Sequence, residues 1–157
     1  MAFSSTDTTK GNIAVLSNNE QNGDFTHVAV FDYVDINNIG NGGQKVIAKI
    51  PAGGGVEMCM VYESTALVGG ADVVLDVGTT SGDPDEFIDG LDVDAMSAPV
   101  VNTGDAFTTS YSQVVGLTNT ATDVIAEFNG NSSGALTAGE VVIALRITDP
   151  GRFATTN

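Results

Sequence analysis

Apolar and polar residues alternate with a period of two along much of this chain, which predicts β-strands rather than helices. The alternation is clearest in VEMCMVYES (56–64), where Val56, Met58, Met60 and Tyr62 point one way and the residues between them point the other. Three more segments show the same pattern. Their predicted inward-facing residues are Val73, Leu75 and Val77, then Val124, Ala126 and Phe128, and finally Val141, Ile143, Leu145 and Ile147.

Turn-forming residues separate the predicted strands. NIAVL (12–16) and THVAVFDYVDI (26–36) flank the polar spacer SNNEQNGD, and together they predict a hairpin. QKVIAKIPAGG (44–54) predicts a short strand that ends at Pro51 and the glycines after it. The stretch 96–120 alternates less clearly and predicts one or two weaker strands.

Short strands between Gly, Asn, Pro and Asp breaks are typical of all-β sandwiches and barrels. We therefore predict an all-β protein, a jelly-roll-like antiparallel β-sandwich. The polar residues 1–12 predict a flexible N-terminal arm, and residues 13–157 predict one sandwich domain. A chain of 157 residues is long enough for a single core of ordinary size.

Six carboxylates fall within the twelve positions from Asp83 to Asp94 and raise the question of a metal site. An EF-hand needs oxygen ligands at positions 1, 3 and 5 and a glycine at position 6. Counted from either Asp83 or Asp85, Phe87 occupies a ligand position, so the EF-hand is excluded. Calcium accepts irregular loops, and a looser site would use Asp83, Asp85 and Asp89.

A capped turn accounts for more of the same segment. Asp83 is suited to cap a single helical turn that has Pro84 at its first position. Phe87, Ile88 and Leu91, spaced by three and four, would then hold that turn against the core. The segment is therefore interpreted as a turn between two strands whose acids face solvent.

The sequence gives little support for a catalytic nucleophile. GNSSG (130–134) matches the G-x-S-x-G elbow, which needs a strand before Ser132 and a helix after it. A strand is predicted on both sides instead, so 129–134 is predicted to be a hairpin turn. His27 is the only histidine, which disfavours a His-based metal site. Cys59 is predicted to be a small buried apolar residue; whether His27 lies beside it as a catalytic base stays open. No catalytic or cofactor-binding residue is predicted.

The net charge disfavours some classes of binding partner. Twenty acidic residues against five basic ones give a formal charge of −15, without any Lys/Arg cluster. Such a surface repels nucleic acid and anionic membranes, so neither is expected as a partner. The single cysteine excludes an intrachain disulfide. The N-terminus does not match a secretory signal, and no apolar run is long enough to cross a bilayer.

Several short pieces resemble small virion proteins of tailed bacteriophages. The chain has IPAG at 50–53, VGT at 77–79, DPDEFI at 83–88 and TAGEV at 137–141, in the order and strand context typical of those proteins. The resemblance covers about residues 44–148. It implies a jelly-roll-like head decoration (cement) protein, a class whose members often form trimers over junctions between major capsid subunits.

From this resemblance we expect a non-enzymatic protein of the virion that binds and stabilises the assembled capsid. Its expected partners are the major capsid protein and itself, as a homotrimer on the capsid surface. It would be made in the host cytoplasm without a signal peptide. The alternative is a receptor- or carbohydrate-binding jelly-roll module of a head or tail fibre; the lack of Trp weakens it. An enzyme acting through Ser132 or Cys59 is a third hypothesis.

Overall fold

The computed structural model describes residues 12–15, 25–69, 72–79, 83–104, 119–130 and 135–148. These residues contain nine strands and one short helix, α1, and no helix among them is long and apolar enough to cross a membrane. The elements are β1 (Asn12–Val15), β2 (His27–Asp32), α1 (Tyr33–Ile39), β3 (Gly43–Ile50), β4 (Gly55–Val68), β5 (Val74–Thr79), β6 (Asp83–Asp92), β7 (Val100–Val101), β8 (Thr122–Asn129) and β9 (Ala138–Thr148).

The strands form two antiparallel sheets that pack as a sandwich. One sheet has the order β1-β2-β9-β4-β7 and the other has the order β3-β8-β5-β6. The chain changes sheet at most connections, as expected for a jelly roll, with β1 added at the outside of β2. The predicted jelly-roll-like sandwich is confirmed. The predicted first hairpin is confirmed too, since β1 pairs with β2 from Asn12↔Val30 to Val15↔His27.

The core lies between the sheets and includes the residues that alternation predicted to point inward in β8, in β9 and in or just before β5. There are ten such residues, and each of them is at most 7% exposed. Phe31 of β2 and Phe128 of β8 join the two sheets in an edge-to-face contact, with ring centroids 5.3 Å apart at an interplanar angle of 71°. Aromatic pairs favour this geometry because the ring edge is positive and the face is negative.

A bulge in β4 alters the alternation that the sequence showed. Val56 and Cys59 are both fully buried although they are three residues apart. The pairing of β4 with β9 shifts between Val56 and Met58, which places an extra residue there. From Cys59 the alternation resumes, with Val61 buried and Tyr62 half-buried.

The strand predicted over 26–36 is wrong in its last part, because the chain turns into α1 after Asp32. The Asp32 carboxylate accepts a hydrogen bond from the backbone N of Asp35, at 2.8 Å, and caps the helix. Gly40 ends it in a left-handed conformation, with a φ of 75° that suits glycine. Ile36 is fully buried, so the helix closes one end of the core.

The helical turn predicted at Asp83 and Pro84 is also wrong, because this segment is strand β6. It pairs with β5 through an irregular register, from Thr79↔Asp83 to Leu75↔Leu91, and these shifts let Phe87 and Ile88 both be buried. A helical turn would leave the β5 edge without this partner, which costs backbone hydrogen bonds.

The hairpin predicted at 129–134 is wrong as well. The strands on either side of it, β8 and β9, belong to different sheets, so this connection crosses the sandwich. Residues 131–134 lie outside the described residues, as do residues 1–11 of the predicted arm. Within the ambiguous stretch 96–120 the structure has the short strand β7, and 105–118 lie outside the described residues.

Candidate functional site

The carboxylates suggested for calcium do not form a cluster. Asp83, Asp85 and Asp89 are distributed along β6, where successive residues advance by about 3.3 Å. Among the described residues, no group of three or more His, Cys, Asp or Glu side chains is placed to hold a metal ion. The structure therefore does not bring these three aspartates together.

Other acids of the region bind backbone groups of the fold. The Asp76 carboxylate accepts hydrogen bonds from the backbone N of Gly90, at 2.6 Å, and from the Asn129 side chain, at 2.9 Å. Asp94 accepts one from the backbone N of Val73, at 2.8 Å. These contacts connect β5 with β6 and β8. Carboxylates that accept backbone N–H groups stabilise turns and strand ends, which is a structural role.

Two carboxyl groups of β6 have raised pKa values. Burial raises the pKa of Glu86; a hydrogen bond from the Thr79 hydroxyl opposes this shift and the nearby Asp83 charge adds to it. The pKa of Asp92 is raised mainly by its hydrogen bond with Asp94, with further contributions from burial and from the charge of Asp94. Glu86 is half-buried and Asp92 is exposed.

His27 and Cys59 do not form a catalytic pair. His27 is opposite Leu145, and Leu145 is opposite Cys59 on its other side, so one whole strand separates them. Two strand spacings amount to about 10 Å between backbones. The Thr26 hydroxyl lies 2.9 Å from His27 Nδ1.

The Cys59 thiol is unsuited to act as a nucleophile. Cys59 is a free cysteine with no exposed surface, and burial raises the pKa of its thiol far above the ordinary value. The thiolate is the reactive form, so a raised pKa leaves an inert group. The prediction that Cys59 is a small buried apolar residue is confirmed. Ser132 lies outside the described residues, and β9 rather than a helix is the next described element after it.

A groove lies beside β4 that the sequence did not reveal. Its volume is about 350 Å³, and it is lined by Tyr62, Glu63 and Ala66 of β4 and by residues 96–99. Pockets that bind ligands start at about 300 Å³, so the groove has room for a short peptide segment. Glu63 is the only charged residue of the lining. Its Oε1 accepts a hydrogen bond from the backbone N of Leu67, at 2.9 Å, which holds the carboxylate in place.

The groove begins where the pairing of β7 with β4 stops. The ladder between β4 and β7 contains only Met60↔Val101 and Val61↔Val100. Continued by one residue it would place Pro99 opposite Tyr62. Beyond Val61 this edge of β4 has no strand partner among the described residues, while its other edge pairs with β9 as far as Val68.

The groove adjoins an apolar area on the outer face of the five-stranded sheet. The cross-strand row from β2 to β7 contains Val28, Ala144, Met60 and Val101, in that order. Val101 is 42% exposed and Met60 and Val28 are half-buried, whereas Ala144 is only 3% exposed. These residues alternate with core residues, so they face away from the other sheet. The sequence signal for this face was present in the apolar residues on both sides of β4 and β9.

Comparison with known proteins gives a relative for the fold. No family model matches the chain, and no curated protein matches it. Its structure is similar to that of a chain in the capsid asymmetric unit of cyanophage Pam1, with a TM-score of 0.52 and 13% sequence identity. The match covers 92% of this chain and 90% of that chain. At this identity the likeness establishes a shared fold.

Proposed function

We propose that this chain is a non-enzymatic structural protein of a phage virion, which binds the assembled capsid and stabilises it as a decoration protein. The observation that carries this proposal is the likeness to a chain of a cyanophage capsid, which extends over 92% of this chain and 90% of that one. The two chains are therefore of similar length, and the likeness is one of whole chains rather than of a shared fragment.

The short motifs of the sequence support the same proposal. IPAG at 50–53 ends β3, and VGT at 77–79 ends β5. DPDEFI at 83–88 begins β6, and TAGEV at 137–141 leads into β9. Each motif thus lies at a strand boundary of the jelly roll, as the resemblance to small virion proteins implies.

The chemistry of the described residues also favours a structural role. Cys59 is buried with a raised thiol pKa, and Leu145 separates it from His27. The net charge of −15 opposes contact with packaged nucleic acid and suits an outward-facing position. A protein that binds only the assembled lattice stabilises that lattice by mass action.

In the proposed assembly the chain contacts the major capsid protein on the outer surface of the shell and forms a homotrimer. Symmetric closed oligomers are the common form of self-association, and several weak contacts per trimer add up through effective concentration. Native mass spectrometry of the purified protein would show a trimer as the main species. A monomer at capsid-like concentrations would contradict the trimer while leaving capsid binding testable.

Capsid binding is tested with particles assembled without this chain. Purified protein is added to such particles, and the pellet after sedimentation is assayed for bound copies that reach a fixed number per shell. The melting temperature of the particles should rise once these copies are bound. No co-sedimentation with the particles would contradict the proposal. Saturable binding on a glycan array in the absence of capsid binding would favour the receptor-binding alternative.

A further inference from the structure

We propose that the groove between β4 and residues 96–99 is the docking site for an extended apolar segment of the capsid partner that carries a Lys or Arg residue. This inference rests on the proposed function, because the partner is taken to be the capsid lattice. The recognised chemistry follows from three features of the groove: an open strand edge, an apolar lining and one fixed carboxylate.

The open edge selects an extended backbone. Beyond Val61, β4 has no strand partner on its β7 side among the described residues. Such an edge offers backbone N–H and C=O groups in the spacing of a β-ladder. An extended segment that enters the groove pairs with these groups, the mode of β-strand addition.

The lining selects apolar side chains. Tyr62, Ala66 and Met96 contribute to the walls, and Met60, two residues before Tyr62 on β4, pairs with the exposed Val101 of β7. A segment that lies in the groove with its alternate side chains against these walls removes apolar surface from water on both partners. Removal of apolar surface from water is the main driving force of association.

The charge selects a basic residue. Glu63 is held by the Leu67 backbone N–H. No basic residue lines the groove. A Lys or Arg on the partner would pair with Glu63 without any change in its side-chain position. A second copy of this chain brings a charge of −15 to the same place, so charge complementarity favours a different protein.

The test compares groove variants with matched variants of the other sheet, using particles assembled without this chain. Ala66→Trp fills the groove, and Glu63→Gln removes its charge while keeping an acceptor for Leu67. The controls are Val46→Trp, at a site 44% exposed on β3, and Glu127→Gln on β8. Circular dichroism and melting temperatures establish that each variant is folded.

Ala66→Trp should weaken capsid binding by about tenfold or more, which corresponds to about 1.4 kcal/mol. Glu63→Gln should weaken binding severalfold and should lower its dependence on salt, since one ion pair is lost. Both controls should bind as the unchanged protein does. If Ala66→Trp does not fold, Ala98→Trp fills the groove from the opposite wall.

The outcomes separate this inference from the proposed function. If the unchanged protein does not bind particles, the proposed function fails. If it binds and the groove variants bind equally well, the function stands and the docking site is wrong. If Ala66→Trp changes the oligomeric state in sedimentation experiments without capsids, the occupant is a second copy, and the proposal of a basic partner segment is overturned.

Discussion

Asn102 and Cys59 bind each other in both directions at the edge of the five-stranded sheet. The Asn102 side-chain oxygen accepts a hydrogen bond from the Cys59 backbone N, at 2.8 Å, and the Asn102 backbone N donates to the Cys59 carbonyl, at 3.0 Å. Asn102 has a φ of 53°, in the left-handed region that asparagine tolerates better than most residues. These two hydrogen bonds extend the short ladder between β4 and β7 by one residue.

Replacing Asn102 by alanine should lower the free energy of unfolding by about 1–3 kcal/mol, because the N–H of a buried residue loses its acceptor. Alanine also tolerates the left-handed φ less well. Asn102→Asp keeps both the acceptor and much of this tolerance, so it should cost clearly less. Urea denaturation of the three proteins measures the differences. Equal midpoints for Asn102→Ala and Asn102→Asp would show that the side-chain hydrogen bond contributes nothing.

The contact between Phe31 and Phe128 predicts a large loss on truncation. Both side chains are at most 1% exposed, and their rings are 5.3 Å apart. Phe128→Ala should cost about 3–5 kcal/mol, because it leaves a cavity between the sheets. Phe128→Leu should cost less, since it fills part of that space. The control is Val46→Ala, at a site 44% exposed, which should change stability by less than about 0.5 kcal/mol. An equally small effect for Phe128→Ala would contradict this account of the core.

The strands and their inward residues could be predicted because alternation is a local property. Val73, Leu75 and Val77 are separated by single residues, and nothing outside the segment is needed to assign their face. The β4 bulge was not visible in the same way. It depends on how β4 pairs with β9, and that register joins residues more than eighty positions apart.

Two of the three wrong predictions concern a helix, and tertiary pairing decided one of them. DPDEFIDGL contains good signals for a helix start, yet the edge of β5 requires a partner and β6 supplies it. For α1 a signal did exist in the sequence, since Asp32 and Asp35 have the spacing of a capping residue and its third follower. The apolar alternation of the preceding strand obscured it.

The groove could not be predicted because it depends on where a ladder stops. The groove residues 96–99 lie in a stretch without clear alternation, and the end of the ladder is defined only once β7 is known to pair with β4. The three aspartates suggested for calcium, by contrast, were conspicuous in the sequence but are distributed along a strand. Thermal melting with Ca²⁺ and with EDTA should give the same melting temperature. A rise of several degrees with Ca²⁺ that Asp85→Asn abolishes would establish an ion site instead.

The buried Cys59 thiol should be unreactive in the folded protein. A chromogenic disulfide reagent should label it only as fast as the chain opens, because the side chain is fully buried and its pKa is raised. In urea the same reagent should label one thiol per chain, which serves as the control. Fast labelling without denaturant would show an accessible thiolate and would revive the enzyme hypothesis.

The raised pKa of Glu86 predicts a definite dependence of stability on pH. Because its pKa is higher in the folded than in the unfolded chain, ionisation costs the folded state more. The favourable contribution of Glu86 to the free energy of unfolding is therefore fully present below the pKa of the unfolded chain. It is lost as pH rises through the higher pKa of the folded protein. Glu86 is about half exposed, so solvent screening limits the effect to less than about 1 kcal/mol.

Glu86→Gln should therefore be more stable relative to the unchanged protein at pH 7 than at pH 4, because glutamine avoids the cost of ionisation. Asp92→Asn should likewise gain stability relative to the unchanged protein from pH 4 to pH 7, since the pKa of Asp92 is raised through its hydrogen bond with Asp94. Melting temperatures of all three proteins between pH 4 and pH 7 measure the difference between each variant and the unchanged protein. A repeat in about 0.5 M salt screens the general repulsion among the acids and isolates the local effect. If the stability of Glu86→Gln relative to the unchanged protein fell as pH rises, the pKa of Glu86 would be lowered rather than raised. That result would contradict the burial of Glu86.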